Sequence, residues 1–278
     1  MSKILVNLHA RMGSTRLPNK PALDLAGKPV FVHIFERCQQ YLPDADYYFL
    51  STTYEALDDP LALLAKAYGY EVFRGTVDTT YDRTMALFNY LDLAPDDIYI
   101  YLCGDSPFRV CEHMPFAVEQ LRATGRDMFF YETKKRTFGE VVGGLDGHEF
   151  TVRGMCKFTE GMSIIKGPDA MWWDFCDLRS IICRMPERFQ REWPWGPLAL
   201  DFPSQALQIK QVYNLLYRGT PIDVEDVYNL FVERPMLANL AGSNLPLSTR
   251  AVYPHGFKDF LIKELKQFAD VQIIEWKG

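Results

Sequence analysis

Ile4-Leu5-Val6-Asn7-Leu8-His9-Ala10-Arg11-Met12-Gly13-Ser14-Thr15-Arg16-Leu17-Pro18-Asn19-Lys20 joins a short apolar run directly to a basic, glycine-containing loop. The run Ile4 to Leu8 has the length and continuous apolarity of a strand buried on both faces. Similar runs recur at Asp46 to Leu50, Glu71 to Phe73 and Ile98 to Leu102. Between them the apolar spacing becomes helical, at Pro29 to Tyr41 (Val30, Ile34, Phe35 and Cys38 on one face), Leu61 to Tyr68, Thr84 to Leu93 and Met114 to Thr124. Strands alternating with helices predict βαβ units, hence an α/β fold with a single, mainly parallel sheet flanked by helices.

In such a sheet the loop from Ala10 to Lys20 leaves the first strand into the crevice at the carboxyl ends of the strands, where ligands bind. Gly13, Ser14 and Thr15 let the backbone turn with amides facing an anion, while Arg11, Arg16 and Lys20 supply cations. This mixture suits a triphosphate. The competing interpretation, a surface loop with solvated basic residues, is weakened by the position after the first strand. The loop is neither a Walker A sequence nor a dinucleotide fingerprint.

Two aspartates complete the pattern. Asp105 follows the run Ile98 to Leu102 after Cys103 and Gly104, and Asp201 follows Leu198-Ala199-Leu200, read as another strand. Carboxylates at neighbouring strand ends suit Mg2+, a hard cation that takes one or two protein oxygens and completes its shell with phosphate and water. Either aspartate alone could equally be a turn former or helix cap before Ser106-Pro107 or Phe202-Pro203.

Beyond Tyr131 the pattern loosens into a stretch with Gly143, Gly144, Gly147, Gly154, Gly161 and Gly167 and an aromatic part with Trp172, Trp173, Trp193 and Trp195, expected mainly as core or interface packing. Helices are predicted at Pro203 to Tyr217 and, capped by Asp223, at Val224 to Glu233; the tail is expected to hold a helix at Phe257 to Phe268 and a strand at Val271 to Trp276. His113 and His148 have no supporting spacing and are expected at the surface. With 48% apolar residues and a net charge of −6, the 278-residue chain has the profile of a packed globular protein and no electrostatic footprint for nucleic acid or anionic lipid. Six cysteines without paired spacing give no zinc or disulfide framework. No window is apolar enough for a membrane span, and no signal peptide is evident, so a cytoplasmic location is expected.

The segment Arg11-Met12-Gly13-Ser14-Thr15-Arg16-Leu17-Pro18, with Lys20, resembles the signature of the cytidylyltransferases that make CMP-activated acidic sugars, most closely the spore coat polysaccharide biosynthesis protein F-like branch. The likeness continues through Leu25-Ala26-Gly27-Lys28-Pro29, Asp58-Asp59-Pro60-Leu61, Val72-Phe73-Arg74-Gly75, Asp82-Arg83, Gly104-Asp105-Ser106-Pro107 and Leu200-Asp201-Phe202-Pro203. Asn19 departs from it, standing where the branch often has glycine, although asparagine tolerates the left-handed conformation. The resemblance implies a nucleotide-diphospho-sugar transferase fold, with a nucleotidyltransferase domain at 1–244 that includes an acceptor and dimer subregion at 131–197; the tail at 245–278 reaches beyond the family pattern and is expected as a C-terminal extension packed on that domain. It implies CTP and a small sugar-like acceptor as substrates, Mg2+ held by Asp105 and Asp201, a homodimer, and a place in surface polysaccharide or glycoconjugate synthesis. Arg11, Arg16, Lys20 and Asp105 are the expected catalytic residues. Ala10, Met12, Gly13, Ser14, Thr15, Ser51, Thr52, Asp82 and Arg83 are expected around the nucleotide, with Ser51 to Thr53 beside the pyrimidine or, alternatively, an ordinary strand-ending turn. Two further possibilities stay open: a nucleotidyltransferase of this fold using another nucleotide or a non-sugar acceptor, and a non-catalytic nucleotide-binding protein. A glycosyltransferase fits less well, since no DxD motif follows the central strand.

Overall fold

The computed structural model describes residues 2–132, 149–164, 178–190, 195, 198–241 and 270–277. At its centre lies β1 (Ile4–His9), buried along its whole length. A two-stranded hairpin, β2 (Asp24–Leu25) and β3 (Lys28–Pro29), follows the loop. Strand β1 runs parallel to β4 (Tyr47–Thr53) on one side and β6 (Ile98–Cys103) on the other, with Leu8 level with Leu50 and Leu102. Strand β5 (Glu71–Gly75) closes that edge, parallel to β4. Paired on both sides and covered on both faces, β1 can be apolar almost throughout.

The crossover helices are α1 (Val30–Tyr41), α2 (Asp59–Ala67), α3 (Thr80–Tyr90) and α4 (Met114–Thr124). Helix α3 begins four residues before the expected Thr84 because Thr79 caps it, its Oγ1 accepting from the Asp82 amide at 2.9 Å. Helix α4 ends on Gly125 at φ 59°, a left-handed stop suited to glycine. Further along the chain come β7 (Met128–Glu132), β8 (Glu149–Thr151), α5 (Val152–Ile164), β9 (Ser180–Arg184), α6 (Pro203–Leu216), α7 (Val224–Glu233), the single turn α8 (Pro235–Ala238) and β10 (Val271–Glu275), besides short 3-10 turns. Asp223 caps α7 as expected, accepting from the Glu225 amide at 2.8 Å.

The sheet has eight strands in the order β10-β9-β7-β8-β6-β1-β4-β5. Only β8 is antiparallel to its neighbours among the described pairings, so the sheet is mainly parallel. Strand β10, from the tail, forms the far edge beside β9. One face packs Val6, Leu8, Phe35, Val118, Val212 and Phe231 into a single core. The other buries Leu5, Phe49, Leu87, Tyr99 and Met155 under α3 and α5. Helix α5 lies so close to β7 that a Cβ at Gly154 would collide with the Asp127 carbonyl.

Three expectations are corrected. Leu198 to Leu200 forms no strand: Leu198 and Leu200 point into the core, and Leu200 N–H bonds to Asp105 O at 2.8 Å. That oxygen lies past the end of β6, where Gly104 has already turned the chain, so no ladder can continue. His113 is fully buried rather than at the surface; its Nε2 lies 3.2 Å from Glu149 Oε1, the oxygen that also accepts from Arg109 Nη2 at 2.8 Å. Ser51, Thr52 and Thr53 are the last residues of β4 and are buried, so they form no turn. Trp195 packs edge-on against Tyr228 and Phe231 at 5.4 Å, a core role. His148, Trp172, Trp173, Trp193 and the helix expected at 257–268 lie outside the described residues. The five described cysteines are free thiols.

Candidate active site

The loop after β1 is anchored at both ends by its own apolar residues and is exposed between them. Ala10, Met12 and Leu17 are buried, whereas Arg11, Gly13, Thr15 and Arg16 face solvent. Met12 N–H donates to Asp58 Oδ1 at 2.7 Å, and the other Asp58 oxygen accepts from Thr53. Met12 O accepts from both Ser14 N–H at 2.9 Å and Asn19 N–H at 3.0 Å, which folds the loop back on itself. That closure places Asn19 at φ 59°, a conformation asparagine reaches at lower cost than most residues. The expectation of a free Ser14 amide is therefore corrected. The amides of Gly13, Thr15 and Arg16 donate to no acceptor among the described residues.

From the loop's far end two cations reach the aspartates. Lys20 Nζ lies 2.5 Å from Asp105 Oδ2 and 3.5 Å from Asp201 Oδ1. Arg16 Nη2 lies 2.8 Å from the same Asp201 oxygen, its guanidinium over the Phe202 ring at 5.4 Å. Neither carboxylate caps a helix. The α6 start is satisfied by Gln205, whose Oε1 accepts from the Asp201 and Phe202 amides at 2.9 and 3.0 Å. The Asp201 carboxylate is thus left to face the cations. Asp105 emerges beside the loop because Gly104 allows close approach: a Cβ there would crowd His9 O and Ala10 Cβ at 2.9 Å.

These two carboxylates fit a divalent cation. One ammonium already contacts both, the donors are all oxygen, and no third acidic, histidine or cysteine side chain joins them among the described residues. Few protein ligands and a shell open to phosphate and water are what Mg2+ accepts.

Arg11 and Arg83 make no ion pair with that cluster among the described residues. Arg83 is 4% exposed and starts from α3; its Nη1 donates to Thr76 O at 2.8 Å and its Nη2 to Thr80 Oγ1 at 3.3 Å. Burial, and then the charge of Arg11, lower its pKa. Neither arginine forms an ion pair among the described residues, although the Asp58 charge acts on Arg83. Asp82, exposed, accepts from Thr79 Oγ1 at 2.7 Å within its own helical turn and is not drawn into the ion cluster. Thr52, on the opposite face of β4 from Ser51, has a buried hydroxyl without a partner among the described residues.

Behind the loop lies a polar cluster that residue patterning does not reveal: Asn7, His9, Thr84 and Tyr99, with Ser51. Asn7 and His9 share a face with alternate residues of β1, so the one available signal was polar residues on alternate positions of an otherwise apolar strand. Burial, then the charge of Arg83, hold the His9 pKa down to about 3, so the ring is neutral.

The family described as Cytidylyltransferase matches residues 6–144. Among curated proteins, 3-deoxy-manno-octulosonate cytidylyltransferase of Escherichia coli is 36% identical over 110 residues, 38% of this chain and 41% of that protein. The spore coat polysaccharide biosynthesis protein SpsF of Bacillus subtilis is 32% identical over 111 residues, 39% of this chain and 45% of that protein. The matched region thus spans less than half the length of these relatives. Of solved structures, a cytidylyltransferase from Leptospira borgpetersenii superposes with a TM-score of 0.70 at 20% identity, covering 88% of this chain and all of that one. CMP:2-keto-3-deoxy-manno-octonic acid synthetase complexed with CTP superposes at 0.57 and 16% identity, over 77% of this chain and 99% of that one. At such identities the superpositions establish the fold.

Proposed function

The chain belongs to the cytidylyltransferase family, and we propose that it transfers a cytidylyl group from CTP to a sugar or sugar acid, releasing pyrophosphate, in the synthesis of a surface polysaccharide or glycoconjugate. The observation that carries this reading is the convergence of Lys20 on Asp105 and Asp201 beside a loop with free amides. Cationic, amide and acidic groups are brought together where a metal triphosphate needs all three. A protein that merely held a nucleotide would not need both carboxylates.

Arg11, Arg16 and Lys20, with the Gly13, Thr15 and Arg16 amides, would hold the phosphates and draw charge from the leaving pyrophosphate. An acceptor hydroxyl oxygen would attack the α-phosphorus in line, forming the new P–O bond as the bond to the β-phosphate oxygen breaks. Asp105 and Asp201 would hold Mg2+, which when bound supplies charge neutralisation at phosphate and acidifies the acceptor hydroxyl. Arg83, beside Arg11, would extend positive charge toward the nucleotide. The acceptor pocket and subunit contacts would lie in 131–197, much of it outside the described residues. No helix among the described residues is long and apolar enough to cross a membrane.

The test is pyrophosphate release with each of the four ribonucleoside triphosphates and a panel of acidic and neutral sugars. CTP and Mg2+ dependence is expected. Strong release with UTP or GTP and none with CTP would overturn the cytidylyl assignment while leaving the fold untouched.

A further inference from the structure

His9 is the last residue of β1 and the last before the loop, level with Ser51 and Cys103 on the neighbouring strands. Its ring is 8% exposed and stacked on Tyr101 with centroids 4.9 Å apart. Ser51 Oγ donates to Asn7 Oδ1 at 2.7 Å. That bond turns the Asn7 amide so that Nδ2 faces His9 Nε2 at 3.0 Å. An amide NH2 only donates, so Nε2 is an acceptor. Tyr99 OH lies 2.8 Å from the same nitrogen. Thr84 gives its proton to Thr80 O at 3.0 Å, and the single Tyr99 proton goes to the bare Nε2, the shorter of its two contacts. A neutral imidazole whose Nε2 accepts carries its proton on Nδ1. Burial and the nearby Arg83 charge keep the ring in that neutral form. Yet His9 Nδ1 is enclosed and has no partner among the described residues. A donor fixed in one tautomer by a relay of three side chains, and then given no acceptor by the protein, calls for one from outside it.

We propose that His9 is a specificity residue of the nucleotide site: the Ser51–Asn7 relay fixes its proton on Nδ1, and that proton is donated to an uncharged acceptor of the pyrimidine, its O2 or N3. The bond forms as the rim around Arg11 and the part-exposed Tyr101 adjusts to the seated nucleotide. This rests on the nucleotidyl-transfer reading above and adds what the loop cations do not supply. Arg11, Arg16 and Lys20 suit phosphate oxygens, whereas a neutral donor matches a neutral acceptor. Cytosine has an acceptor at N3 where uracil carries a hydrogen, so a bond to N3 favours CTP over UTP, whereas one to O2 serves both.

Nitrogen-15 NMR of the imidazoles in the full chain reads the tautomer before nucleotide is added. Nδ1 is expected protonated and Nε2 bare from about pH 5 to 8, and Ser51→Ala, which frees the Asn7 amide to flip, should admit the other tautomer. Adding CTP should move the His9 Nδ1 proton downfield. His9→Leu should raise KM for CTP about tenfold, the effect of one neutral hydrogen bond, with a smaller change in kcat, while His9→Asn, whose amide nitrogen replaces Nδ1, retains most of the affinity. A CTP analogue with carbon in place of N3 separates the two acceptors, since it keeps only O2. A wild-type Nε2–H tautomer, or a Nδ1 proton unmoved by a triphosphate that binds, overturns the proposal, and both readouts survive if His9→Leu fails to fold. If CTP does not bind and another triphosphate does, the cytidylyl reading fails separately, and the same spectra with that nucleotide judge His9.

Discussion

Asp105 and Asp201 differ from turn-forming aspartates in what their oxygens touch: Lys20 reaches both, and Arg16 reaches Asp201, while Gln205 serves the helix start. Asparagine keeps the shape and capping ability of aspartate but not its charge. Asp105→Asn and Asp201→Asn are therefore expected to melt near the wild-type temperature. Their turnover should fall by about 100-fold or more, the loss of roughly 3 kcal/mol of transition-state stabilisation. Turnover and calorimetric melting measured on the same preparations check this; wild-type turnover at limiting Mg2+ in either variant would make that aspartate structural. The type and order of these residues were legible in the chain. So was the expectation that the two aspartates share one site; their contact with Lys20 and Arg16 was not, because it depends on where the irregular segment before α6 comes to rest.

Helix α5 shows a packing constraint that periodicity cannot reveal. Gly154 sits against the Asp127 carbonyl of the chain entering β7, and because the obstacle is backbone, no side-chain rotation relieves an added methyl. In a helix Ala is normally favoured over Gly by about 1 kcal/mol. Here Gly154→Ala should instead destabilise by about 3 kcal/mol, the upper range of overpacking, whereas Gly13→Ala, which would meet only Leu57 Cδ2 at 3.4 Å, should leave stability almost unchanged. Denaturant midpoints of the two variants decide it; equal midpoints would mean α5 shifts freely. The first four crossover helices and their strands were readable because each pattern is local. The early start of α3 depended on a single cap, Thr79. The apolar triplet Leu198 to Leu200 misled because burial alone looks the same in a strand and in a loop pressed onto a core.

Across the fold, Asp127 ties together the elements on which the sheet's second half depends. Its oxygens lie 3.1 Å from Arg153 Nε and 2.9 Å from Lys157 Nζ, both on α5, and accept the Arg179 amide at 3.0 Å on the approach to β9. Burial alone would raise its pKa, but these hydrogen bonds outweigh it and bring the group down to about 2. A carboxylate depressed in the folded state stabilises above its unfolded value and loses that contribution as pH falls through the folded one. Roughly 2 kcal/mol should therefore disappear between about pH 4 and pH 2. Urea unfolding across this range should show a shallower pH dependence for Asp127→Asn than for wild type; parallel curves would remove Asp127 from acid unfolding. The alternation of strands and helices, the turn at Asn19 and the cations of the loop were all readable from neighbouring residues, since periodicity and backbone preference act over a few positions. The meeting of Lys20 with both aspartates, the burial of His113 and the relay from Ser51 through Asn7 to His9 arose only on folding, because the order of strands in the sheet decides which distant side chains share a face, and no short-range pattern encodes that order.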